Sequence, residues 1–137
     1  MYLIDSSILL ELVFGQEKAA ECKSFMQKVK TGEIRCFVSD FNIDSVLLAI
    51  YRHTKSIKLM ETFLTSMIEL LNLSIHFIGL DDRIKAIGHI EKYGLDFEDS
   101  MTLQAAAGSG CTHIVSFDNH FDDVPIKRVE PKDLIKE

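Results

Sequence analysis

Four aspartates in this chain stand where carboxylate chemistry can be built: Asp5, Asp44, Asp99 and Asp118. Asp5 closes the opening apolar run Met1-Tyr-Leu-Ile and is followed by the hydroxyls of Ser6 and Ser7. Mg²⁺ and Mn²⁺ prefer hard oxygen ligands, and metal-assisted hydrolysis needs several carboxylates from separate elements aimed at one point. Carboxylates crowded together repel, and without compensation some take up protons. A divalent cation is the obvious compensation, and the positive ends of nearby helices add to it modestly.

Whether the four acids can meet depends on the elements that carry them. Tyr2 to Ile4 reads as a first strand, with Ser6 or Ser7 capping a short helix to Val13 that Gly15 ends. Glu17 to Lys30 is helical by its apolar spacing, with Gly32 as the stop, and Ile34 to Val38 is the second strand. Ser39 or Asp40 caps a helix with Ile43, Val46, Leu47, Ile50 and Tyr51 at threes and fours. Ile57 to Leu71 follows as a second helix with a wide apolar stripe. Two helices exceed what one crossover requires, which predicts a hairpin partly outside the sheet. Ile75 to Ile78 is the third strand, Asp81 and Asp82 open a helix ending at Gly94, and Phe97 to Gly108 is a further helix. His113 to Ser116 or Phe117 is a strand buried on both faces. A short edge strand spans Ile126 to Val129, and Pro131 suits the first turn of a terminal helix.

Strands alternating with helices imply a three-layer α/β/α sandwich, with a mainly parallel sheet of about five strands and right-handed crossovers. In such a sheet, ligands bind beyond the carboxyl ends of the strands. Asp5 and Asp118 follow strands. Asp44 lies in the first turns of a helix leaving a strand, and Asp99 in the first turn of the helix that descends towards the fourth. All four belong to one rim. Asp40, one helical turn before Asp44, is the alternative second acid.

The remaining composition bounds the answer. At 137 residues, with 47% apolar and 26% charged content, one domain with one core is expected. Cys22, Cys36 and Cys111 are odd in number and lack C-x-x-C spacing, which indicates neither a disulfide framework nor a thiolate metal site and fits a reducing cytoplasm. The uncharged run Leu70 to Leu80 is far short of the ~20 apolar residues a membrane span needs. The net charge of −6 opposes nucleic-acid binding, unless the acids cluster around cations that reverse the local field. No two histidines pair at zinc-ligand spacing. His120 reads as a loop-surface residue, Asp96 and Glu98 as acids at a helix N-terminus, and Arg52-His53-Thr54-Lys55 with Lys58 as a solvated basic turn.

In order along nearly the whole chain, these pieces resemble the PIN-domain family, the ribonuclease fold common among toxins of toxin-antitoxin pairs. The matching pieces are the strand ending in Asp5-Ser6-Ser7, Ser39 with an acid five residues on at Asp44, Asp99-Ser100 opening an alanine-rich helix, and Ile114-Val-Ser-Phe-Asp118-Asn-His-Phe121. Two positions depart from the family pattern. Asp44 stands where a Glu is usual and is one methylene shorter, and Ser116 replaces a Thr but keeps the hydroxyl. The resemblance implies Mg²⁺- or Mn²⁺-dependent hydrolysis of RNA leaving a 5′-phosphate. Asp5, Asp99 and Asp118 would be the main ligands, Asp44 a ligand or water-orienting group, and Ser7, Ser116 and Asn119 supports. It also implies a homodimer and an antitoxin partner. A member of the fold that has lost its chemistry is the rival reading, and the complete acidic set argues against it. A phospho-acceptor receiver domain is a third, but it needs adjacent acids after the first strand, where this chain has Asp5-Ser6.

Overall fold

The computed structural model describes residues 1–136. Five parallel strands, β1 (Tyr2–Ile4), β2 (Cys36–Ser39), β3 (Leu73–His76), β4 (His113–Val115) and β5 (Lys127–Val129), form one sheet in the order β3-β2-β1-β4-β5. Between them run α1 (Ser6–Phe14), α2 (Ala19–Lys30), α3 (Asp40–Thr54), α4 (Ile57–Glu69), α5 (Leu80–Tyr93), α6 (Phe97–Gly108) and, after β5, α7 (Pro131–Leu134). The expected parallel three-layer architecture is the one observed.

Successive side chains of a strand point to opposite faces, and the two central strands use this to build two cores. Ile4 and Val115 pack with Ile8, Phe25, Val46 and Phe63 from α1 to α4. Leu3 and Ile114 pack on the other side with Ala86, Met101 and Phe121. Gly15 and Gly94 end α1 and α5 in the left-handed region, at φ 60° and 67°, which costs glycine little.

Some boundaries differ from the periodicity reading. β3 ends two residues before Ile78 because its register runs from Leu73↔Cys36 to Ser39↔His76, and the Ile78 N–H then donates to the Asp40 carboxylate at 3.0 Å. The hairpin α3–α4 contributes more than an appendage: Phe63 is buried, and Leu59, Met60 and Met67 pack on the core. At the opposite edge of the hairpin's crossover, Ile75, Phe77, Leu80, Ile84 and Ile87 form an exposed apolar face on β3 and α5.

Candidate metal centre and active site

The carboxyl ends of the two central strands bring Asp5 and Asp118 together. Asp5 continues β1 in extended conformation, its N–H donating to Val115 O at 3.0 Å, and its carboxylate is buried. Three hydroxyls surround it. Ser116 and Ser7 donate to Oδ2 at 2.7 and 2.9 Å, and Thr102 Oγ1 lies 3.4 Å from Oδ1. Ser116 also accepts from the Asp118 N–H at 2.9 Å, so one buried side chain ties both acids. Asp118 in turn caps a 3₁₀ turn (Asn119–Asp123), accepting from the His120 N–H at 2.9 Å.

Asp99 arrives from the first turn of α6. Asp96 caps that helix by accepting from the Asp99 N–H at 2.7 Å, which fixes the direction in which the Asp99 side chain leaves. His120 closes the group, its Nδ1 standing 3.2 Å from Asp99 Oδ2 and 3.1 Å from Asp118 Oδ1.

The electrostatics of this pocket are adverse without a counter-charge. Burial raises the Asp5 carboxyl above its ordinary value despite the hydroxyls, and Asp118 adds to the rise. Burial, and then the charge of Asp118, push Asp99 up to about 6. The hydrogen bond to Asp99 and the charge of Asp118 raise the His120 imidazole in response. The donor set fits a divalent cation. Asp99 and Asp118 offer the hard oxygens such an ion prefers, and one ligand atom each from Asp99, Asp118 and His120 lies within 4.8 Å of the others.

Asp44 is not drawn into this group. It is exposed on α3, lines a surface depression with Leu47, Leu48, Tyr51 and Met60, and shares no hydrogen bond with the other acids among the described residues. Asp40 is used structurally, accepting from the Phe41 and Ile78 N–H groups. Ser7 and Ser116 contact Asp5; Asn119 contacts none of the acids by a hydrogen bond among the described residues. Sequence reasoning missed two buried polar groups beneath Asp5. Thr102 has a single hydroxyl proton with Glu98 O, Asn42 Oδ1 and Asp5 Oδ1 at 3.2, 3.3 and 3.4 Å. Asn42 donates to Ile4 O at 3.4 Å. The signal for Thr102 was available: it lies three residues after Asp99, hence on the same helix face.

The sequence profile of the PIN domain family matches residues 2–127, a span that holds every acid described above. The chain belongs to the PIN domain family. Solved structures that resemble this PIN domain agree on the fold. VapC20 of Mycobacterium tuberculosis, described as a sarcin-ricin loop cleaving toxin, superposes with a TM-score of 0.74 at 12% identity, over 93% of this chain and 99% of that one. A toxin-antitoxin complex from Klebsiella pneumoniae gives 0.69 at 18% identity, over 96% and 98%. FitAcB from Neisseria gonorrhoeae gives 0.65 at 11% identity, over 96% and 99%. Among curated proteins, comparison by sequence finds no match. No helix of the PIN domain, among the described residues, is long and apolar enough to cross a membrane.

Proposed function

We propose that this chain is a divalent-metal-dependent endoribonuclease, the toxin of a toxin-antitoxin pair. The observation that carries this reading is the convergence of Asp5, Asp99 and Asp118, from three separate elements, on one pocket in which Asp5 and Asp99 are pushed towards protonation. The PIN family match and the likeness to a cleaving toxin and to a toxin-antitoxin complex support it. A bound Mg²⁺ or Mn²⁺ supplies an activated water and neutralises charge building on the phosphoryl oxygens. Asp99 and Asp118, with His120 beside them, would hold it. Asp5 orients the centre from below, itself fixed by Ser7 and Ser116. Asp44 stands further out as a fourth acid acting through water, and Asn119 as a flanking polar group.

Purified protein is expected to cut unstructured RNA with Mn²⁺ present and to stop when the metal is chelated. Undiminished cutting in chelator would sink the reading. Asp44→Ala is expected to lower the rate less than loss of any of the three central acids, because Asp44 is exposed and shares no hydrogen bond with them among the described residues; a loss as large as that of Asp99→Asn would put it at the metal. Coexpression with a cognate antitoxin is expected to suppress the activity.

The exposed face of Ile75, Phe77, Leu80, Ile84 and Ile87 lies on the open edge of the sheet. Contiguous apolar surface beside an unpaired strand edge is a liability in a free monomer. A second copy, related by a two-fold axis, would cover it with the same residues. Ile84→Glu is therefore expected to shift the mass measured by light scattering from dimer to monomer without loss of helicity; an unchanged mass would rule out this face.

A further inference from the structure

Two clefts flank the carboxylates, and their chemistry is opposite. One, of about 620 Å³, lies beyond His120 and is lined by Asp96, Asn119, Asp122 and Asp123. Arg128 engages Asp122 at 2.7 Å, but Asp96 and Asp123 form no ion pair among the described residues, and this wall repels phosphate. The other, of about 330 Å³, begins at Ser7 and Phe117, the neighbours of Asp5 and Asp118, and continues past Glu11, Phe14 and Gln16 to His53. Three of its lining residues, Phe14, His53 and Phe117, carry rings. The Phe14 and His53 rings meet edge to face at 5.6 Å, and Lys18 Nζ stands 4.5 Å from the centroid of the half-buried Phe117 ring. At its far end His53 leads into the exposed Arg52, Lys55 and Lys58, of which Arg52 and Lys58 form no ion pair among the described residues.

Resting on the ribonuclease reading above, we propose that this second pocket receives one unstacked nucleobase of the RNA, next to the phosphate held at the carboxylates, and that the strand leaves over Arg52, Lys55 and Lys58. Single-stranded RNA is recognised by bases splayed onto aromatic side chains, with polar groups meeting their edges. The pocket has both. The exposed His53 supplies a ring face, Phe117 with Lys18 over it closes the inner end, and Gln16 supplies a donor and an acceptor for a base edge. Its volume, at the lower end for ligand sites, admits one planar ring system. The basic turn then gains a role as the phosphate track beyond it, and the acidic cleft on the other side gives the strand a preferred direction.

The test uses short ribo-oligonucleotides carrying 2-aminopurine at each position in turn, bound to Asp99→Asn protein so that the strand is not cut. Stacking in the pocket is expected to quench the fluorescence at one position. Adding His53→Ala, at an exposed site, should abolish that quench and weaken binding about ten-fold, within the range for loss of one base–aromatic stack. Adding Asp123→Asn in the acidic cleft should leave binding no weaker and the quench in place. Equal affinity and quench with and without His53, or no quench at any position, would overturn the proposal. Cleavage of the same oligonucleotides by the parent protein keeps the two readings apart. Mn²⁺-dependent cutting with no His53-dependent quench sinks the pocket alone, and a His53-dependent quench with no cutting sinks the nuclease reading and leaves the base site.

Discussion

Asp99→Asn is expected to do two opposite things: to reduce Mn²⁺-dependent RNA cleavage by at least about 10²-fold, the scale on which loss of one preorganised electrostatic group is felt, and to raise the metal-free melting temperature. The second effect follows from the sign of the shift. The Asp99 carboxyl moves from 3.8 to about 6 on folding, so the native state holds this proton more tightly than the unfolded one. Its contribution is intact below about pH 4 and is lost as the pH rises through about 6, leaving at neutral pH a penalty on the order of 2–3 kcal/mol. An uncharged Asn carries no such penalty. At pH 8 without metal the variant should melt several degrees above the parent, and at pH 4 the advantage should vanish. Mn²⁺ should stabilise the parent and not the variant. A variant that melts lower than the parent at pH 8, or still cuts at the parent's rate, would contradict the assigned role.

The second large effect belongs to a residue that never touches substrate. Ser116 donates to Asp5 at 2.7 Å and accepts from the Asp118 N–H at 2.9 Å. Ser116→Ala therefore removes a donor from a buried carboxylate and leaves a partly buried amide without its acceptor. The expected cost is about 1–3 kcal/mol of stability, with Mn²⁺ affinity weaker by roughly 10- to 100-fold. Ser116→Thr, which restores the hydroxyl, should recover both. Calorimetric titration of Mn²⁺ and thermal melts of the three proteins decide it; an alanine variant that binds Mn²⁺ like the parent would show that the hydroxyl does not position the acids.

Much of this arrangement is legible in the sequence because the central strands of a parallel sheet are buried on both faces. Such strands read as unbroken apolar runs, and a carboxylate ending one is conspicuous: Ile4 then Asp5, Val115 and Ser116 then Asp118. The N-terminus of α6 was equally plain, with Asp96, Glu98 and Asp99 preceding an alanine-rich stretch. What periodicity did not reveal is rotation about a helix axis. On α3, Asn42 is buried against Ile4 O while Asp44, two residues and about 200° further round, is exposed. Likewise His120 follows Asp118 by two residues, but only the 3₁₀ turn, which Asp118 itself caps, swings its ring back between two carboxylates. The end of β3 was misjudged because Phe77 and Ile78 continue an apolar run, whereas Ile78 gives its N–H to a side chain on α3.

The sheet order has a bearing on when, during synthesis, the pocket can close. β1 is made well before its neighbour β4, and the Ser116–Asp5 hydrogen bond spans 111 residues of sequence. Closing so long a loop is slow and yields nothing until both ends exist. A nascent chain that has not released Asp118 from the ribosome has half a pocket, so the proposed ability to cut cannot precede the exit of β4. Chains stalled with residues 113–118 still in the exit tunnel should be inert towards RNA; cutting by such chains would refute this. On the proposed reading, an inhibitor supplied in that interval would meet the chain before it is able to cut.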